Sequence, residues 1–458
     1  MNLMNKIFDS MGTVRRVPLY LEIILVMVAA SLMFVWSMPN LTGLRNSLLA
    51  VDLLICFPLV WSILRNGGWR RFFPVLPLKI YCVLTLWIVL CAFLFSDNRV
   101  VSFHEIWGQW IRSALAGAMG FMLASLSVSR RLRLSSASVL TVLMLAIFSQ
   151  VMLHDVDMLL QWVRTGKIPL GETRILESRT VLTYVVNLLL AFSAAELMGR
   201  VLFKRRYMPL PGIFFVFIGL VCVFASYTLQ TRNGMIGTLA LLVSCSLLFW
   251  FVKRKNTNNI LVASLVLLVL SGVATLGWFA YKSDPRWASL LETVPIAWDT
   301  QDHQEWIHRQ YPLLADGSPV SGSNYERIVW AKEALLQIAR EPIGVGYNRS
   351  AFGVALKKIH PDLVETAHSH SGILDFTIAN GIPGLIIFIA LLWICFQQGL
   401  LTFFKNHSSQ GLLLAFVVTG FFGRSLVDSN IRDHMLEQFM FLLCMMLVFS
   451  LERDSSES

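Results

Sequence analysis

Apolar residues fall in long blocks along this chain, and a block of about 20 apolar residues is what a helix needs to cross about 30 Å of hydrocarbon. Blocks of that kind lie near residues 18–38, 46–64, 78–95, 107–128, 137–153, 181–199, 212–230, 235–252, 259–281, 384–404, 410–427 and 435–451. They predict an all-α polytopic membrane protein with about twelve transmembrane helices. Two blocks are weak: 46–64 contains Asp52 and Pro58, and 137–153 is short. The first block follows Lys6, Arg15 and Arg16, but it is too long for a signal peptide and no small-residue cleavage site follows, so it reads as an uncleaved anchor.

The blocks are unevenly spaced. Residues 1–281 carry nine spans, 282–383 leave the membrane as one large loop, and 384–458 carry three more spans and a short tail. A connection that long is usually functional. Its first half, Trp298 to Ser323, is polar and irregular. In its second half Ser323-Asn-Tyr-Glu326 reads as a capping box, and Ile328, Ala331, Leu335 and Ile338 recur at helical spacing before Pro342. This predicts an amphipathic helix over about 324–340, with Arg327 in its first turn. An arginine there opposes the helix dipole unless both share an anion.

Composition agrees with the pattern: 56% of the 458 residues are hydrophobic and only 14% charged, outside the range of ordinary soluble domains. The net charge of +10 needs no nucleic acid. Lysine and arginine cluster in alternate connections: Arg65, Arg70, Arg71 and Lys79; Arg130, Arg131 and Arg133; Arg200, Lys204, Arg205 and Arg206; Lys253, Arg254 and Lys255. These mark the cytoplasmic side, where they meet anionic lipid headgroups, and with an even span count they put both termini in the cytoplasm and the large loop outside. All seven cysteines fall within spans, so neither a disulfide framework nor a cysteine metal site is expected. His368 and His370 are two apart, which on a helix would point them to different faces, and no other ligand spacing appears; no metal is expected.

Against this background a few polar residues stand out. His370-Ser371 lies where the loop re-enters the membrane, an expensive place for an ionisable group without a role. The nine residues 372–380 can form two to three helical turns, Gly381 can end them, and Pro383 can open the next helix. Arg232, in Thr231-Arg232-Asn233-Gly234, occupies a tight turn on the outer side, where the charge rule disfavours it. A guanidinium at membrane level suits bidentate binding of phosphate. Arg174 and Arg179 add external cations before the sixth span. Arg424, Asp428, Arg432, Asp433 and His434 read as mutual ion pairs in a solvated loop. An outward-facing site with arginines at membrane level and one imidazole fits a lipid-linked diphosphate, the arginines stabilising the leaving group and the imidazole taking a proton from the attacking hydroxyl.

The pattern His370-Ser371-x9-Gly381-x2-Gly384 resembles the signature H-[N/S/Q]-x9-G-x2-[G/T/Y] of O-antigen ligases. The turn at Arg232 resembles the family's S-R-G-like turn, with Asn233 as a departure, and Tyr325 to Trp330 followed by Pro342-Ile-Gly344-Val-Gly346 resembles the ordered helix of its large periplasmic loop. About 150 residues are covered closely. The resemblance implies a GT-C-like glycosyltransferase of the bacterial inner membrane, active on the periplasmic side. It implies metal-independent, inverting transfer of O-antigen from undecaprenyl diphosphate to lipid A-core, without a cofactor. His370 is then the base, Arg232 and Arg327 hold the diphosphate, and Arg179 is a further candidate. Roles for Arg174, His368, Arg424 and Arg432 stay open. O-antigen polymerases and protein O-oligosaccharyltransferases share the broad superfamily. A lipid-linked oligosaccharide flippase would need charges lining the bundle and two similar halves. Glu22, Asp52, Arg112 and Glu196, the few charges inside spans, form no such pathway.

Overall fold

The computed structural model describes residues 16–65, 74–176, 178–253, 285–314 and 317–452, with scattered positions from 263 to 282. The protein is an all-α polytopic membrane protein. Its helices in chain order are α1 (Leu19–Val35), α2 (Thr42–Arg65), α3 (Val75–Leu94), α4 (Arg99–Val128), α5 (Ser136–Thr165), α6 (Arg179–Phe203), α7 (Gly212–Leu229) and α8 (Arg232–Lys253). They continue as α9 (Pro285–Trp298), α10 (Gly322–Arg340), α11 (Ala351–Ile359), α12 (Gly372–Asn406), α13 (Ser409–Ser425) and α14 (Asp433–Ser450). Among the described residues nine helices are long and apolar enough to cross a membrane. The 17-residue helices α1 and α13 occupy two further expected spans. The expected span at 259–281 lies largely outside the described residues, as do Lys6, Arg15, Arg70, Arg71, Arg254 and Lys255.

Eleven of the expected blocks thus carry a helix, the two weak ones included. The block at 137–153 belongs to a 30-residue helix that runs on to Thr165 and ends at Gly166 in the left-handed region, φ 72°. His154, Asp155 and Asp157 dilute its hydropathy without breaking it; His154 Nε2 lies 2.9 Å from Thr228 Oγ1 across to α7. In α4 the residues Ile106–Ile111 form a π-helical turn, an irregularity common beside functional sites.

The bundle is held by close packing, since lipid supplies no hydrophobic drive between helices. α14 lies along α4. A methyl group on Gly120 would sit 2.1 Å from the Phe441 carbonyl oxygen, so only glycine permits this approach. Of the charges inside spans, Asp52 is buried with no hydrogen-bond partner among the described residues for either oxygen, whereas Glu22, Arg112 and Glu196 have local partners. Glu437 accepts from the Trp36 indole at 3.0 Å and pairs with Arg112 at 3.2 Å. Glu22 accepts the Leu134 amide, and Glu196 pairs with Arg200 while accepting the Tyr207 and Met208 amides.

A second, smaller core lies under α9, α10 and α11, where Trp306, Tyr325, Val329, Phe352 and Leu356 pack with Ile378 and Ala379 of α12. Two expectations for α10 are corrected here. It begins at Gly322 with Ser321 as its N-cap, no side chain caps it, and Glu326 instead accepts from the Tyr311 hydroxyl at 3.0 Å. Arg327 therefore stands in the second turn. Its buried face is Tyr325, Val329, Trp330, Glu333, Ala334 and Gln337, whereas Leu335 is half exposed. The helix docks by a mixed face on α9 and α12 rather than by the purely apolar stripe expected.

Candidate functional site

Helix α12 is two helices joined at Gly381, whose φ 70° and ψ 177° lie in a region open essentially to glycine alone. The first piece ends at Asn380 as the spacing requires, and it leaves carbonyls without helical partners. The large loop supplies them. The amides of Val345 and Gly346 donate to the carbonyls of Ile378 and Ala379, each at 3.0 Å, and the Trp87 indole donates to that of Asn380 at 2.7 Å. In return the Ile382 amide donates to the Pro342 carbonyl at 2.8 Å. The crossing is so close that a Cβ on Gly344 would lie 2.5 Å from the Gly381 nitrogen, and one on Gly381 would lie 2.3 Å from Ile343 backbone atoms.

At the other end of this short helix stands His370, in a left-handed backbone conformation, φ 60°. A non-glycine residue held there costs about 1–3 kcal/mol and persists only when its surroundings fix it. They do. The Ser369 amide donates to Asp375 Oδ1 at 2.8 Å, and Asp375 Oδ2 accepts from the Ser429 hydroxyl at 2.6 Å. The Ser371 hydroxyl donates to the Ser425 carbonyl at 3.2 Å, and the Gly372 amide to that of Asp428 at 2.9 Å. Both flanks of the histidine are thus tied to the segment between α13 and α14.

The two histidines lie in a loop, where the helical argument that separates them does not apply, and their rings meet edge to face at 4.5 Å. The His370 amide donates to His368 Nδ1 at 3.3 Å, which requires that nitrogen to be unprotonated. Burial pushes the His370 pKa from 6.5 down to about 4, helped by His368, Arg327 and Arg432 and opposed by Asp428. His368 is lowered too, by burial first and then by Arg432. Both imidazoles are neutral at pH 7. The other face of His370 stacks on the indole of Trp330, which is buried in α10.

Arg327 lies one turn before Trp330 on α10 and donates to the Val427 carbonyl at 3.1 Å. Arg232 opens α8 and donates to Asn324 Oδ1, on that same helix, at 2.9 Å. Asn233, the departure from the expected turn, donates to the Val427 carbonyl as well, at 3.3 Å. The two arginines are therefore linked through Asn324, Val427 and Asn233 into one cluster, and Arg327 weighs electrostatically on His370. Arg179 is placed differently. It opens α6, whose Thr183 hydroxyl meets that of Thr231 at 2.7 Å, but its side chain is exposed and its guanidinium lies against Gly171. Arg174 is exposed also.

The segment 424–434 corrects an expectation. Arg424 does pair with Asp428, yet both side chains are largely buried, and Arg424 also reaches the Thr180 carbonyl and the Tyr184 ring. Far from a solvated loop, it is the wall against which the His370 loop is fastened. Asp375, Ser429 and Trp330 belong to the site and were not singled out from sequence. The i to i+5 spacing of His370 and Asp375 across the helix start was the available signal. Among the described residues no three His, Cys, Asp or Glu side chains gather as a metal site.

The site therefore joins a buried neutral imidazole to two linked arginines where the large loop meets the helix bundle. Residues 214–389 match the family model for O-antigen ligase, a family of membrane glycosyl-transfer enzymes. The match spans Arg232, Arg327, His370, Gly381 and Gly384; Arg179 and the 424–434 segment lie outside it. No curated protein matches the chain.

Proposed function

We infer that this protein is an O-antigen ligase, transferring glycan from undecaprenyl diphosphate to lipid A-core at the periplasmic face of the bacterial inner membrane. The observation that carries the reading is His370, fixed in a strained conformation between His368 and Trp330, the latter one helical turn from Arg327. Neutral at pH 7, it is a proton acceptor. In the reaction the acceptor hydroxyl oxygen attacks the anomeric carbon and His370 takes the hydroxyl proton. The bond from that carbon to the diphosphate oxygen breaks, and its electron pair leaves with undecaprenyl diphosphate. Attack opposite the leaving group inverts the anomeric centre. Arg232 and Arg327 meet the growing negative charge, which fixed guanidinium groups stabilise without reorganisation.

The reading against a flippase rests on the charges inside the spans, most of which are engaged locally: Glu22 and Glu196 hold connections and Glu437 holds Arg112, which among the described residues leaves Asp52 alone and no chain of charges. Polymerase and protein O-oligosaccharyltransferase activities would use the same leaving group and differ in the acceptor. Purified protein is offered lipid-linked glycan together with lipid A-core, a second lipid-linked glycan, or a pilin-like protein. Glycan appearing on lipid A-core supports the ligase. Glycan appearing only on one of the others overturns it in favour of that activity.

A further inference from the structure

Three consecutive amides surround His370, and each donates to a side chain. The Ser369 amide donates to Asp375 Oδ1 at 2.8 Å, the His370 amide to His368 Nδ1 at 3.3 Å and the Ser371 amide to Ser369 Oγ at 3.3 Å. The Ser369 hydroxyl closes the turn by donating to the Ser371 carbonyl at 3.2 Å. His368 and Ser369 belong to the turn itself, so their bonds set its shape but not where it sits. Asp375, alone of the three acceptors, stands outside it, in the first turn of α12.

The second oxygen of Asp375 fixes the frame. Oδ2 accepts from the Ser429 hydroxyl at 2.6 Å, and Ser429 is buried in the segment between α13 and α14. One carboxylate thus joins the turn that carries His370, the helix that follows it and the segment that packs across both. Carboxylate acceptors make shorter hydrogen bonds, about twice as strong as those of neutral acceptors. The C-terminal side of the turn has its own ties, from the Ser371 hydroxyl to the Ser425 carbonyl and from the Gly372 amide to that of Asp428. The bond from Ser369 to Asp375 brings the N-terminal side to the same frame.

We propose that Asp375 is a positioning residue for the transfer reaction, its carboxylate aiming His370 by holding the Ser369 amide, an inference that rests on the reading of His370 as the base. The role is indirect. Among the described residues the side-chain hydrogen bonds of Asp375 run to Ser369 and Ser429, not to an imidazole nitrogen, so it differs from a carboxylate that orients a catalytic histidine through its ring. Aim matters because His370 has a left-handed backbone, φ 60°, which a non-glycine residue leaves unless its neighbours hold it. With Ser369 released the turn relaxes, and the imidazole leaves its place between Trp330 and His368. A shift of about 1 Å in a reacting group can lower a rate by about a hundredfold.

The test uses purified full-length protein, lipid-linked donor and lipid A-core acceptor. Asp375→Ala removes both bonds, and kcat is expected to fall by about tenfold or more while affinity for undecaprenyl diphosphate stays within about twofold of wild type. Asp375→Asn keeps an oxygen for the Ser369 amide and offers its NH₂ group to the Ser429 oxygen, so it should transfer within about threefold of wild type. The pH profile separates aim from a mere loss of folded protein. His370 is faced by His368, Arg327, Asp428 and Arg432 and titrates at about 4 because it is buried. Loosening the turn exposes the ring, so the acid limb of kcat/KM in Asp375→Ala should move up toward 6.5, whereas a smaller folded fraction scales the profile without moving it. Should Asp375→Ala fail to fold, Ser429→Ala removes only the bond to Oδ2 and is expected to lower kcat by about threefold or more with the same movement of the limb. An acid limb that stays in place overturns the inference, as does a kcat within about twofold of wild type, or Asp375→Asn as impaired as Asp375→Ala. Wild-type transfer by His370→Ala is a different failure, because it removes the base itself rather than its aim. If the wild type transfers only to another acceptor, the ligase reading fails separately and the same comparison with that acceptor decides the role of Asp375.

Discussion

The imidazole of His370 lies over the indole of Trp330, ring centroids 5.0 Å apart and planes 18° apart. An indole face attracts a cation by about 0.5–2 kcal/mol, so the contact favours the imidazolium that forms when the base has taken its proton. The resting site, by contrast, keeps the ring neutral through burial. His370→Ala should therefore insert and express normally yet lower transfer by about a hundredfold or more, the usual scale of general-base help. Trp330→Leu should lower kcat by less, about tenfold. Near wild-type ligation by His370→Ala, read from lipopolysaccharide on gels, would remove the residue from the mechanism.

The arginines should act through binding and geometry together. Arg232→Lys keeps the charge but loses the planar fork that reaches Asn324, so transfer should fall substantially while the protein folds. Arg327→Ala should weaken undecaprenyl diphosphate binding further. Affinity of the purified variants for that lipid measures both, and unchanged affinity in the two would place the diphosphate elsewhere. Arg179→Ala should have a smaller effect, because its exposed side chain is turned to Gly171.

The pH profile follows from the neutral imidazole. His370 in the free enzyme titrates at about 4, and only its unprotonated form accepts a proton. The acid limb of kcat/KM should thus lie well below pH 6.5, with activity lost as pH falls through the pKa. A bound diphosphate adds negative charge nearby and raises that pKa, so the limb in kcat should lie higher. Coincident limbs in the two profiles would contradict this coupling.

Transfer should persist in excess EDTA, since Arg232 and Arg327 are available for the charge that a divalent cation neutralises in other glycosyl diphosphate enzymes. The control is lipopolysaccharide treated identically, because chelation alters its own packing. Activity lost with chelator and restored by Mn²⁺ would show that carboxylates such as Asp428 serve a metal.

Gly381→Ala is predicted to destabilise the protein by more than about 3 kcal/mol, from the disallowed backbone angles together with a methyl group driven into Ile343. Thermal unfolding in detergent would show it as a lowered Tm. Gly219→Ala is the companion control, as nothing lies within 4 Å of its added carbon. Equal Tm values for the two would mean the break at Gly381 carries no strain.

Legibility in the sequence followed the range of the interaction. Spans are set by local hydropathy and Gly381 by local backbone sterics, so helices at eleven of the expected blocks and the break in α12 could be read directly. The fastening of His370 could not, because Ser425, Asp428 and Ser429 lie more than fifty residues on and reach it only through the fold. Segment 424–434 was misjudged for the same reason: alternating charges look solvated until the helices that bury Arg424 are in place. On α10 the apolar spacing pointed to Leu335, whereas the docked face includes Glu333 and Gln337, whose neighbours are other helices rather than lipid.

The exchange of hydrogen bonds between residues 342–346 and the break in α12 ties the large loop to the helix it crosses. Raising it would strip the carbonyls of Ile378 and Ala379 of their partners at membrane depth, where each orphan costs several kcal/mol. It would also free Gly381 to relax, and with it the helix whose far end aims His370. On the proposed reading, room for a lipid-linked glycan would have to come from the flanks of the loop and not from lifting residues 342–346.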